Sequence, residues 1–215
     1  MNDSITGVRH GAAPLPLSIL DFAMAGKGLT AREALAASID LARLVDRRGF
    51  TRYWVAEHHS SLGVTTSSPA MLLARLVGET KRIRLGAGGM MLPNFPPLVV
   101  AEQFGLLASM APGRIDLGVG RAPGTDMSTR RPFVVPTAQE AESYDYSSTE
   151  RRITDMWNAK IMSGTGAQVV EKLNTWQQRV NADELMILNL GHSPQAIYRS
   201  TELIADAYGL PQNVS

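Results

Sequence analysis

Arg52-Tyr53-Trp54-Val55-Ala56-Glu57-His58-His59-Ser60 is a β-prone run that stops abruptly on an acid and two adjacent histidines. Tyr53, Trp54 and Val55 favour a buried strand, and polar, Gly-bearing sequence follows Ser60, so Glu57-His58-His59 belongs at a strand's carboxyl end. Parallel α/β sheets bind their ligands at that end. What flanks the run settles the fold class. Upstream, Thr30-Ala-Arg-Glu33 is a capping box, and Leu35, Ile39, Ala42 and Val45 recur at helical spacing until Gly49 stops them. Before that helix, Leu15, Leu17, Ile19 and Leu20 form a short apolar run between Pro14 and Phe22, ended by Asp21 and a loop through Gly28, which reads as a first strand. Downstream, Ser68-Pro69 supplies an N-cap and a first helical proline, and Met71, Leu72, Leu76 and Val77 carry a second helix to Thr80.

The alternation continues. Ile83-Arg-Leu-Gly-Ala-Gly-Gly-Met-Met-Leu-Pro93 reads as a third strand whose end is bent by glycines, and Pro96-Pro97 opens a third helix to Met110. Pro112-Gly113 ends that helix, and Arg114-Ile-Asp-Leu-Gly-Val-Gly-Arg121 reads as a fourth strand with an arginine at its carboxyl end. Four such repeats predict a parallel sheet. After Gly124 the pattern fails: Thr125 to Tyr146 is mostly polar, with only Phe133-Val134-Val135 apolar. Ser147-Ser-Thr-Glu150 then caps a helix through Ile161, and Thr165-Gly-Ala-Gln168 caps another through Val180. A last strand lies between Asp183 and Leu190, and Ser193-Pro194 caps a terminal helix ending at Gly209.

Composition narrows the function classes. The chain has 215 residues, 44% hydrophobic and 19% charged, enough for one sizeable core. Its 21 Lys and Arg nearly balance 20 Asp and Glu, and no basic stripe with interleaved aromatics occurs, which argues against nucleic acid as a partner. There is no cysteine, hence no disulfide and no thiolate chemistry, and no apolar run reaches the roughly 20 residues of a membrane span. These features point to a cytoplasmic protein. Glu57-His58-His59 lacks the i, i+4 histidine spacing of a metalloprotease helix, and only His10 and His192 remain as imidazoles, so no metal site is expected. Gly86-Ala-Gly-Gly89 is not the G-x-G-x-x-G of a dinucleotide loop and opens no helix.

Four ordered motifs carry a resemblance: Trp54-Val-Ala-Glu-His-His59, Ile83-Arg-Leu-Gly-Ala-Gly-Gly-Met-Met-Leu-Pro-Asn94, Leu98-Val-Val-Ala-Glu-Gln-Phe104 and Gly113-Arg-Ile-Asp-Leu-Gly-Val-Gly-Arg121. Together they resemble the bacterial-luciferase-like flavin-dependent monooxygenases. The likeness is dense over residues 14–126 and returns in Ala182-Asp-Glu-Leu-Met186 and Ala205-Asp-Ala-Tyr-Gly-Leu210. It implies a (β/α)8 TIM-barrel-derived α/β fold. Such a barrel takes roughly 250 residues. The first four strands resemble the family's first four and the last its eighth, so about three central units, on the order of a hundred residues, are missing between Gly124 and Val135. The expectation is therefore an incomplete barrel of about five parallel strands in a single domain over 1–215: a four-strand half over 1–126, an irregular junction over 127–146, and the last helices and final strand over 147–215.

The resemblance also implies roles. His58 matches a histidine acting in flavin oxidation chemistry, with Glu57 and His59 orienting it or shaping the pocket wall. His58 and Glu57 are the catalytic candidates; Gly88, Gly89, Arg121 and His59 are the cofactor-binding ones. In a regular strand successive residues face opposite sides, so at most one histidine can face the barrel interior. Gly88 and Gly89 match residues flanking a non-proline cis peptide beside the flavin ring; from residue types alone a bulge or strand-end bend ranks first. Arg121 matches an arginine that binds the FMN phosphate, the alternative being a surface side chain. Phe95 stands where relatives commonly carry histidine, which makes the rim more apolar. Met90 and Met91 read as core, Asp21 and Asp116 as carboxylates that no spacing pairs, and Asn189 and His192 as further pocket candidates.

The implied activity is oxygenation of a small, aldehyde-like organic substrate by O2 and reduced FMN supplied by a separate flavin reductase, with a deazaflavin as the alternative cofactor. A homodimer is expected, since relatives pair through early barrel helices. The rival reading is a non-catalytic flavin- or ligand-binding or interaction protein derived from a truncated barrel.

Overall fold

Thr30 and Glu33 cap each other's backbone N–H groups, as their spacing predicts, and from that cap the first helix runs beneath a five-stranded sheet. The structure is a computed structural model that describes residues 15–59, 63–121 and 134–213. Its elements in order are β1 (Leu17–Asp21), α1 (Ala31–Arg47), β2 (Arg52–Val55), α2 (Pro69–Val77), β3 (Arg84–Met91), a 3-10 turn (Leu92–Asn94), α3 (Pro97–Met110), β4 (Ile115–Gly120), α4 (Ala138–Ser143), α5 (Ser148–Asn158), α6 (Gly166–Val180), β5 (Leu185–Leu188) and α7 (Pro194–Tyr208).

All four strand pairings are parallel and the strand order is β4-β3-β2-β1-β5. The α/β fold with five parallel strands is the one expected from the sequence. The last strand comes back beside the first, with Leu17 opposite Leu185 and Ile19 opposite Ile187. Period-two alternation divides each strand between two faces. Leu17, Ile19, Tyr53, Val55, Leu85 and Ala87 face the helices and are buried with Leu41, Val45, Leu73, Leu76 and Phe104. Each such Leu, Ile, Val or Phe side chain contributes about 1.5–3 kcal/mol on burial.

The opposite, concave face carries Ser18 and Leu20, Arg52 and Trp54, Arg84 and Gly86, Asp116 and Gly118, and Met186 and Leu188. Its amino-end row is an ion-pair chain across the strands. Arg52 bonds Asp116 at 2.7 Å and Glu184 at 2.9 Å, Arg84 also pairs with Asp116, and Ser18 donates to Glu184. The face is open at β5, where Met186 and Leu188 are 37% and 40% exposed. Within β4, at the sheet's edge, Leu117 and Val119 are exposed as well.

Local chemistry explains the ends of the elements. Gly49 at φ 73° turns the chain from α1 into β2, and Asn181 and Gly209, both left-handed, end α6 and α7. The Asp46 carboxylate accepts the backbone N–H groups of Lys81, Arg82 and Ile83 at 2.8–3.0 Å, which pins the entry to β3.

Several boundaries differ from expectation. The α2 helix stops at Val77 with Gly78 as its cap, and Ser68 holds the N-cap position without a side-chain bond. The α5 helix stops at Asn158, where the Ala159 N–H turns back on Asp155. The junction expected to be irregular over 127–146 contains a helix, α4, capped by the Thr137–Glu140 box; that part of the expectation is corrected, and residues 122–133 lie outside the described ones. Neither α4 nor α5 buries a residue, and α5 displays Ile153, Met156 and Trp157 to solvent. Among the described residues no helix is long and apolar enough to cross a membrane.

Candidate functional site

The β2 strand ends at Val55, two residues short of Glu57, so Glu57, His58 and His59 lie on the loop that leaves the sheet. The alternation expected to separate the two histidines therefore does not govern them. Their placement follows from what each one bonds. Glu57 is 2% exposed. Its Oε2 accepts the Met91 backbone N–H at 3.0 Å, and its Oε1 lies 2.6 Å from His59 Nε2. The acid thus joins the end of β2 to the end of β3 and orients His59. Glu57 was expected to orient His58 or shape the wall; the residue it holds in place is the other histidine, because its two oxygens are taken by Met91 and His59.

His58 sits differently. Its backbone N–H donates to Thr66 O at 2.9 Å, and its ring lies 4.8 Å from that of Phe22, tilted by 48°. Its Nδ1 is buried and has no partner. Burial lowers the imidazole's pKa below its ordinary 6.5, with His59 acting in the same sense and Glu57 against it. Burial thus favours the neutral ring, and its enclosed Nδ1 has no partner among the described residues.

The glycine pair is both cis and bulged. Gly88-Gly89 is a cis peptide bond, and the register jumps there from Ala87–Leu117 to Met90–Val119, so the bond sits within a bulge of β3. Beyond it Met90 is core, whereas Met91 pairs with Gly120 and anchors Glu57. Arg121 follows Gly120 and is exposed at the carboxyl end of β4. The ends of β2, β3 and β4 thereby gather Glu57, His58, His59, Gly88, Gly89 and Arg121 on one edge of the sheet. Ser60 and the segment after Arg121 lie outside the described residues.

The remaining residues singled out in the sequence are placed as follows. Phe95 packs partly against the core. Asp116 and Asp21 are both partnered: Asp116 by Arg52, Arg84 and Trp54 Nε1, and Asp21 by the Tyr53 hydroxyl at 2.5 Å. His192 lines a small cavity of about 30 Å³ between α1 and α7, with Asp21, Ser38 and Tyr198, while Asn189 donates to Ile197 O. That space suits one water molecule and no substrate. Among the described residues no three His, Asp or Glu side chains gather to hold a metal ion.

A cofactor site is tested by what the residues leave unfilled. Here that is the enclosed, unpartnered His58 Nδ1, the room above Gly120 (a Cβ there meets nothing nearer than 3.9 Å) and the flat apolar row of Leu188, Leu20 and Trp54. With the Arg121 guanidinium at the rim, these suit a planar group with an anionic tail.

Comparison with known proteins shows what the chain as a whole is similar to. The family described as luciferase-like monooxygenase matches residues 16–146, more than half of the chain. A luciferase-like monooxygenase of Escherichia coli (strain K12) is 51% identical over 115 residues, which are 54% of this chain and 34% of that protein. An N-acetyl-S-alkylcysteine monooxygenase of Bacillus subtilis (strain 168) is 49% identical over 108 residues, 50% of this chain and 32% of that one. The chain spans about a third of the length of these relatives. The crystal structure of apo-MsnO8 shares the fold with a TM-score of 0.73 at 23% identity, covering 92% of this chain and 99% of that one.

Proposed function

Since the chain belongs to the luciferase-like monooxygenase family, we propose that it is a flavin-dependent monooxygenase that oxidises a small, aldehyde-like organic substrate with O2. The observation that carries this reading is the His58 Nδ1, enclosed, unpartnered and set on the same sheet edge as the Gly88-Gly89 backbone and Arg121. Reduced flavin, when bound, supplies the electrons and the reactivity toward O2 that side chains lack.

The chain's own part is positioning and proton handling. His58, kept neutral by burial, holds or releases a proton at Nδ1. Glu57 fixes the loop and β3 relative to each other, and His59 forms the wall beside it. The Arg121 guanidinium holds the phosphate of FMN, with a deazaflavin as the alternative cofactor. A separate reductase delivers the reduced cofactor, because the sequence holds no nicotinamide fingerprint. A homodimer covers part of the exposed apolar surface, which includes Leu98, Leu106 and Met110 of α3.

One observation favours a second reading. Oxygenation needs a pocket closed to water, and Met186 and Leu188 leave the concave face open. A flavin-binding protein without turnover also fits that face. The experiment is titration of the purified protein with oxidised and reduced FMN, followed by O2 uptake with a long-chain aldehyde. Aldehyde-dependent uptake supports the monooxygenase, binding without it leaves the binding protein, and no binding of FMN or of a deazaflavin overturns both.

A further inference from the structure

Three glycines on the concave face surround one side chain. A Cβ on Gly86 would stand 2.4 Å from Trp54 Nε1 and 2.6 Å from Cδ1; one on Gly88 would stand 2.9 Å from Trp54 Cε3, and one on Gly118 3.2 Å from Trp54 Cζ3. The indole therefore lies on a bed of β3 and β4 backbone that any larger residue would fill. Its orientation is readable from the same atoms. The pyrrole end is at Gly86, where Nε1–H donates to Asp116 Oδ2 at 3.1 Å, and the benzo edge is at Gly88 and Gly118, toward the carboxyl ends of the strands. Asp116 is itself clamped by Arg52 and Arg84, so the ring is tethered at its amino end, lies along the strands with one face on the three glycines and turns its other face to the open side of the sheet.

Trp54 is only partly buried, so the indole is not fully covered by the protein. Leu20, beside it in register, and Leu188, beside Leu20, extend the same row. A tethered indole bordering the first residue of the cis pair, continuous with two leucines, is an apolar surface on strands whose carboxyl ends lead into His58 and Arg121. We propose that Trp54 is a binding residue for the flavin: its indole forms the floor on which the cofactor's ring system rests, and Gly86, Gly88 and Gly118 are the bed that admits the indole. The inference rests on the flavin reading above and adds a residue to it. The recognised chemistry is a planar, electron-poor aromatic ring, which stacks favourably on an indole.

The test reads contact directly. An indole in van der Waals contact with a flavin quenches the flavin's own emission, so FMN and, in parallel, a 5-deazaflavin are titrated while binding is measured by calorimetry and cofactor emission by fluorescence lifetime. The proteins are the wild type, Trp157→Phe/Trp176→Phe, which leaves Trp54 as the lone tryptophan, Trp54→Phe and Trp54→Leu. The expectation is strong quenching of the bound cofactor in the first two, loss of that quenching in Trp54→Phe with binding retained, and roughly three- to tenfold weaker binding in Trp54→Leu. Urea midpoints report whether the Trp54 variants fold. The Trp157→Phe/Trp176→Phe protein keeps the bed intact, so its lifetime measurement decides the matter even if Trp54→Leu does not fold. Binding with an unquenched lifetime in the two proteins that retain Trp54 overturns the inference and leaves the flavin reading standing. Absence of binding to wild type overturns both.

Discussion

His59 Nε2 and Glu57 Oε1 lie 2.6 Å apart, and the Glu57 side chain in this contact is wholly enclosed. Adjacent histidines thereby acquire opposite characters: His59 is tied to a buried acid, and His58 keeps an unbonded nitrogen.

Removing the acid tests that arrangement. In Glu57→Ala the Met91 N–H loses its acceptor, which costs about 1–3 kcal/mol, and His59 loses its anchor. Glu57→Gln keeps an oxygen for Met91 and is expected to cost less. Urea unfolding of both variants checks the order, and an equal cost would mean that the Met91 bond is not what matters.

His58 gives stability a pH dependence of known sign. Its folded pKa is below the ordinary 6.5, so as pH falls the unfolded chain takes up the proton first. The contribution of the neutral ring is complete above 6.5 and is lost as pH drops through the folded value. Unfolding midpoints should therefore rise with pH across that window in the wild type, and His58→Asn should flatten the rise; an unchanged slope would assign it elsewhere.

Asp46 acts at the acid end. Burial works to raise its pKa, but the N–H groups of Lys81, Arg82 and Ile83 outweigh it, and the carboxylate titrates below its ordinary 3.8. Its stabilisation is complete above 3.8 and drains away as pH falls through the folded value. Asp46→Ala, which strands three backbone donors at the entry to β3, is expected to cost about 2–4 kcal/mol at neutral pH, and calorimetric unfolding reads it.

Alanine at glycines should sort by surroundings. On Gly118 a Cβ would stand 2.2 Å from the Ala87 carbonyl oxygen, which cannot move aside, so Gly118→Ala should reach or exceed the upper end of the roughly 1–3 kcal/mol cost of overpacking. Gly86→Ala, which meets a side chain, should cost less and shift the near-ultraviolet signal of Trp54. Gly105, inside α3 with nothing within 4 Å, should gain about 1 kcal/mol as alanine. Thermal unfolding of the three variants checks the ranking.

What could be read from the sequence was local or repetitive. Thr30–Glu33, Ser147–Glu150 and Thr165–Gln168 state their helix starts within four residues, and the apolar runs around Ile19, Val55 and Leu85 state the strands. Thr137–Glu140 carries the same signature, but the polar composition around it masked the helix it opens. The site was legible as a set of residues and not as a wiring. Which histidine Glu57 holds depends on where β2 stops and on Met91 arriving beside it, and the indole bed depends on the β2–β3–β4 register. Asp116 likewise finds its arginines only across strands, at separations of 64 and 32 residues.

The pairing of β1 with β5 must wait for the far end of the chain to be made. Ser18 meets Glu184 across 166 positions, so at ordinary translation rates one flank of β1 stays bare for on the order of 10–30 s after it emerges from the ribosome. Throughout that interval β2 can dock on one side while the other offers unpaired N–H and C=O groups to any passing strand. The β1 flank of the nascent chain is thus open to mispairing until residue 185 is made.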